Sequence, residues 1–92
     1  MRNGLITNEH GDKMWYQDDL LHRTNGPAVE YADGTKFWFR HNQRHRTDGP
    51  AVEFASGTKH WFIKDHILSF NEWLEQVNYT EVEKTLMRLQ YA

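Results

Sequence analysis

The 92-residue chain contains no cysteine, and that absence removes both disulfides and thiolate metal sites. It also lacks any apolar run near the roughly 18–20 residues of a membrane span. Its first residues, MRNGLITNEHGDK, contain no apolar core of a secretion signal. These absences together predict a protein of a reducing cytoplasm, with no membrane role. Charge of one sign is also missing. The formal net charge is −2, so the total gives no pull toward nucleic acid or anionic lipid. Proline occurs twice, as Pro27 and Pro50, and both fall in the same sequence context. Nowhere does a nucleophile recur with a base, a glycine loop cradle phosphate, or a metal-ligand spacing appear. An enzyme is not expected, and no cofactor or metal is implied.

What the chain has instead is periodicity. HRTNGPAVEYADGTKFWF, His22 to Phe39, returns as HRTDGPAVEFASGTKHWF, His45 to Phe62. Trp15, Trp38 and Trp61 stand 23 residues apart, as do Lys13, Lys36 and Lys59, and Gly11, Gly34 and Gly57. A fixed period in this range marks an array of identical supersecondary units. The units are 1–23, 24–46 and 47–69, within a single domain spanning 1–92. The first is diverged, as a terminal unit with one neighbour is expected to be.

Each unit reads as a β-hairpin. AVEY and KFWF alternate and are rich in branched and aromatic residues. Ala32-Asp33-Gly34-Thr35 between them suits a type I turn with glycine in a left-handed bulge. That loop pairs Glu30 with Lys36, Val29 with Phe37 and Ala28 with Trp38. One period later it pairs Glu53 with Lys59, Val52 with His60 and Ala51 with Trp61. One sheet face then carries Ile6, Met14, Val29, Tyr31, Phe37 and their counterparts, and is the expected core face. The other carries the Glu–Lys pairs and the tryptophans.

After Leu68 the period changes. Ser69-Phe70-Asn71-Glu72 and Thr80-Glu81-Val82-Glu83 are both capping boxes. Residues 70–91 therefore predict one or two short amphipathic helices. Trp73, Leu74, Val77, Leu86 and Leu89 are expected to cover the sheet or to join two copies, because a single sheet layer needs a cover. The fold class is α+β: a meandering antiparallel sheet closed by C-terminal helices.

The repeat resembles MORN-type units. It is more closely similar to the His-Arg-x-Asp-Gly-Pro-Ala repeats of small phage, giant-virus and bacterial MORN-variant proteins. The resemblance covers residues 1–69. The glycine usual after the aromatic strand is replaced here by Asp18-Asp19, His41-Asn42 and Lys64-Asp65. It implies a scaffold for a partner and a small accessory protein acting on a host component in the host cytoplasm.

Two groups of side chains are candidates for binding. Lys13, Trp15, Lys36, Trp38, Lys59 and Trp61 form a column suited to an acidic partner or a stacked base, or else to packing between units. His22, Arg23, Arg44, His45 and Arg46 form a second group, readable as an anion-binding rim or as structural hydrogen bonding. The expected function is a non-catalytic protein-interaction module, an inhibitor or adaptor bound to a host defence or toxin protein. The alternatives are a small nucleotide or nucleic-acid binder using the Trp and Arg/Lys surface, and a self-assembling component forming homodimers or larger oligomers.

Overall fold

A computed structural model describes residues 1–91. Ten short strands precede two helices: β1 (Gly4–Thr7), β2 (Lys13–Gln17), β3 (Leu20–Leu21), β4 (Val29–Glu30), β5 (Lys36–Phe37), β6 (Phe39–Arg40), β7 (Gln43–Arg44), β8 (Val52–Glu53), β9 (Lys59–Ile63), β10 (His66–Leu68), α1 (Phe70–Gln76) and α2 (Glu81–Tyr91). The main sheet runs β1-β2-β4-β5-β8-β9-β10, with β3 beside β2, and β6 pairs with β7 separately. Every pairing is antiparallel. The architecture is therefore a meandering antiparallel sheet with two C-terminal helices.

Turn chemistry sets the hairpin registers. The Gly34 amide donates to the Tyr31 carbonyl at 3.0 Å, and the Tyr31 amide to the Thr35 carbonyl at 2.8 Å. Gly34 has φ +97°, a region closed to most side chains. This is the type I turn plus glycine bulge, and it recurs at Phe54 to Thr58 with Gly57 at φ +96°. The resulting pairs are Val29 with Phe37, Glu30 with Lys36, Val52 with His60 and Glu53 with Lys59, as the sequence predicts. The opposite ends of the hairpins turn on two residues each. Asp18-Asp19, His41-Asn42 and Lys64-Asp65 all have φ between 47° and 69°, the pattern of a type I′ hairpin turn. Aspartate and asparagine tolerate this conformation best, which accounts for a missing glycine.

Contacts recur at the same 23-residue spacing. The Trp15 amide donates to the Ala28 carbonyl, and the Trp38 amide to the Ala51 carbonyl. The His22 and His45 amides return to the Trp15 and Trp38 carbonyls. Ala28 and Ala51 are wholly buried, since only a methyl fits beneath the rings on this face.

The helices do not cover the face that the alternation marks as core. They pack on the tryptophan side, around Trp61. Trp61, Trp73, Leu74 and Val77 form one buried cluster, joined by Phe70, Met87 and Tyr91. The Trp61 and Trp73 ring centroids are 4.5 Å apart. The Trp73 indole donates to the Arg46 carbonyl at 2.8 Å, and the Tyr79 hydroxyl to the Thr47 carbonyl at 2.7 Å. The reason lies eight residues after each tryptophan. Arg23 and Arg46 lie over Trp15 and Trp38, but the corresponding position after Trp61 is Ser69. Serine cannot shield an indole; it caps α1 instead, in a complete capping box with Glu72.

Trp73, Leu74 and Val77 thus cover Trp61, whereas Leu86 and Leu89 do not. Val82, Leu86 and Leu89 share one stripe of α2 and are 72%, 60% and 79% exposed. Lys84, Met87 and Tyr91 take the inward side: Met87 and Tyr91 pack on the cluster, and Lys84 pairs with Glu75 at 3.4 Å. A helix three turns long has room for two apolar-bearing faces, and only one meets the sheet.

Candidate functional site

The two groups of side chains come together differently than their spacing suggests. Lys13, Glu30, Lys36, Glu53 and Lys59 lie on adjoining strands as direct cross-strand neighbours. The lysines therefore alternate with carboxylates across the sheet, a ladder of opposite charges rather than a basic stripe. The tryptophans run beside this ladder. Trp61 is buried under α1, while Trp15 and Trp38 are half-buried beneath guanidinium groups at 3.9 and 3.8 Å from their ring centroids.

The His-Arg-Thr-x-Gly-Pro motif acts as a clamp. Arg46 Nε donates to Asp48 at 2.8 Å, and Nη1 donates to the Pro50 carbonyl at 3.0 Å and reaches Glu53 at 3.4 Å. Arg23 does the same toward Asn25, Pro27 and Glu30. A Cβ on Gly49 would lie 2.6 Å from the Arg46 guanidinium carbon, so glycine there makes room for the fork. His22 Nδ1 accepts the His41 amide and His45 Nδ1 accepts the Lys64 amide, both at 3.0 Å. Each histidine thus ties its strand to the next two-residue turn.

Of the predicted rim, Arg23, His45 and Arg46 line one pocket with Trp38, a polar recess of about 350 Å³ closed by the loops at 24–26 and 45–48. Arg40 also lines it and was not singled out by the repeat. The signal was its departure from the pattern: the equivalent positions are Gln17 and Ile63. Arg44 lies elsewhere. Its guanidinium covers Phe62 at 4.4 Å on the opposite face and holds Asp65 at 2.6 Å, which keeps that carboxyl below its ordinary range. The His22 ring lies tilted against His41, centroids 4.3 Å apart. Among the described residues no group of three or more His, Asp or Glu side chains could hold a metal ion.

Burial, then the positive charges of Arg40 and Lys64, push the His45 pKa below 6.5; burial, then His41 and Arg40, do so for His22. The fold therefore favours neutral imidazole. Stability is fully present above the unfolded-state pKa and declines as pH falls below it, toward the depressed folded-state values. Urea midpoints measured between about pH 7.5 and 5.5 should fall in that window, above the range where carboxylates titrate. A flat profile there would show that neither ring is held neutral by folding.

The other sheet face carries a second candidate surface. Tyr31, Phe54 and Ile67 are 43%, 39% and 62% exposed, although they lie where the core was expected. Phe37 sits edge-on to Tyr31 and Phe54 at 5.7 and 6.2 Å, making a continuous aromatic row. A shallow groove of about 490 Å³ beside it is lined by Leu21, Val29, Tyr31, Phe37 and Phe39. Alternation alone did not reveal that this surface is open, because the opposite face also carries large apolar rings, Trp15, Trp38 and Trp61, that need cover.

Comparison with protein-family models, curated proteins and solved structures finds no match to the chain.

Proposed function

We propose that this protein is a non-catalytic interaction module that docks a protein partner on the open aromatic face of its sheet. The observation that carries the reading is the row Tyr31, Phe37 and Phe54, left uncovered because the helices pack on the opposite side. Contiguous exposed apolar surface of this kind marks interaction sites, and aromatic residues dominate binding energy at them. The clamped loops, paired charges and type I′ turns make the face rigid, which lowers the ordering cost of association.

In this reading the chain is an array of three 23-residue MORN-like hairpins with a helical cap. Its repeat motif favours a phage-type inhibitor or adaptor working in the host cytoplasm on a defence or toxin protein. No helix among the described residues is long and apolar enough to cross a membrane. The test is affinity capture from nuclease-treated bacterial lysate with wild type and a Tyr31→Asp/Phe54→Asp variant. Both side chains are partly exposed, so the variant should keep its circular dichroism and melting profile. A protein recovered by wild type and lost from the variant supports the reading. Equal recovery by both would move docking away from this face.

A further inference from the structure

We propose that the pocket between the loops at 24–26 and 45–48 binds the phosphate group of a small ligand. This site lies on the tryptophan side of the sheet and is independent of the aromatic face.

The pocket is lined largely by hydrogen-bond donors. Arg23 and Arg46 are each fixed through Nε and Nη1, and among the described residues neither Nη2 group is engaged. Glu30 and Glu53 hold those two forks in place and offset their charge. Arg40 makes no ion pair among the described residues, so its charge is uncompensated. His45 accepts the Lys64 amide at Nδ1, so its neutral ring carries the proton on Nε2 and is a donor. The Thr24, Asn25 and Gly26 amides make no hydrogen bond within the chain among the described residues. Guanidinium forks with free backbone amides are the groups that recognise tetrahedral oxyanions. A volume of about 350 Å³ exceeds what a bare phosphate needs and leaves space beside Trp38 for the group that bears it.

The chain contains its own comparison. One unit later the same place is filled by α1 and Tyr79, whose donors reach the Arg46 and Thr47 carbonyls. There the residues equivalent to Arg40, His45 and Arg46 are Ile63, Leu68 and Ser69. Arg46 and the loop at 47–49 repeat Arg23 and the loop at 24–26, so the donors lost where the chain fills the place are those of Arg40, His45 and Arg46.

The experiment is a titration of the ¹⁵N-labelled protein at low salt with inorganic phosphate and, separately, with adenosine monophosphate. Two variants are compared with wild type. Arg40→Ile installs the residue found one unit later, and Asp48→Asn the residue found one unit earlier, so both suit the local backbone. Wild type should show shifts confined to the 24–26 amides, the Arg23, Arg40 and Arg46 side chains and His45. Arg40→Ile should weaken binding by about tenfold or more, the loss of one charge-assisted contact. Asp48→Asn should tighten it by roughly threefold, because a negative charge leaves the lining while an acceptor for Arg46 remains. Adenosine monophosphate binding more tightly than phosphate, with quenching of Trp38, identifies a nucleotide-like ligand. Equal binding identifies a site for the anion alone. If neither probe perturbs the pocket, or if both variants bind as wild type does, the proposal is wrong. Should Arg40→Ile melt early, Asp48→Asn decides by itself.

Discussion

Replacing Trp73 by alanine is expected to destabilise the fold by about 3–5 kcal/mol, the range for emptying a fully buried aromatic site. Trp73 is completely buried, packs tilted against Trp61 and donates the bond that fastens α1 to the Arg46 carbonyl. A domain of this size has a total stability of roughly 5–15 kcal/mol, so the loss takes a large fraction of it. The melting temperature should fall by about 15–30 °C. The paired control is Leu86→Ser/Leu89→Ser, which changes two exposed positions on α2 and should leave the midpoint within a few degrees. Thermal melts of both variants decide whether the helical segment is anchored through Trp73 of α1 or through the outward stripe of α2. If the double serine variant were the one to collapse, the outward stripe would be part of a buried surface after all.

The second large effect is expected at Arg46. Its side chain is 16% exposed, lies over Trp38 and joins Asp48, Glu53 and the Pro50 carbonyl. Arg46→Ala removes the fork and leaves the Glu53 carboxylate and the Pro50 carbonyl without this partner. Charge-assisted hydrogen bonds of this kind each contribute about 1.5–3 kcal/mol. After discounting for the exposed Asp48 contact, the expected loss is about 2–3 kcal/mol. Lysine should restore little, since an ammonium can neither span three acceptors in a plane nor lie flat on indole. Urea denaturation of the wild type, alanine and lysine proteins tests this. Full recovery by lysine would reduce the clamp to simple charge.

Much of this was legible in the chain. Glycine at 34 and 57 in a loop of the right length fixed the bulge, and the bulge fixed which residues face each other across each hairpin. The capping boxes at Ser69 and Thr80 marked both helix starts. The covered face was not legible from alternation, because KFWF places phenylalanine on one side and tryptophan on the other. Hydrophobicity does not rank those sides. The deciding signal was subtler: Arg23 and Arg46 stand eight residues beyond their tryptophans, and Ser69 breaks that series. An indole that loses its guanidinium must find another cover, and α1 follows at once. In α2 the stripe of Val82, Leu86 and Leu89 is the more apolar one, yet Lys84, Met87 and Tyr91 face inward. Tyr91 reaches the Trp61 ring at 5.0 Å and Lys84 finds Glu75, contacts that a helical wheel cannot anticipate. Within the binding group, Arg40 escaped notice because a period search rewards sameness, and Arg40 is an exception to its column.

The links between neighbouring hairpins also bear on how the molecule assembles in time. The hydrogen bonds that tie one hairpin to the next, such as His22 to His41 and Arg44 to Asp65, join residues 19 and 21 positions apart. The widest side-chain bond, Tyr79 to Thr47, spans 32. Loops this small close quickly, and low sequence separation between contacting residues accelerates folding. A chain emerging from the ribosome can complete each hairpin soon after its second strand appears and add it to the preceding one. The helices then dock on Trp61, α1 through Trp73 and α2 through Tyr91, once the hairpin that carries this ring is in place, so the order of synthesis and the order of packing coincide.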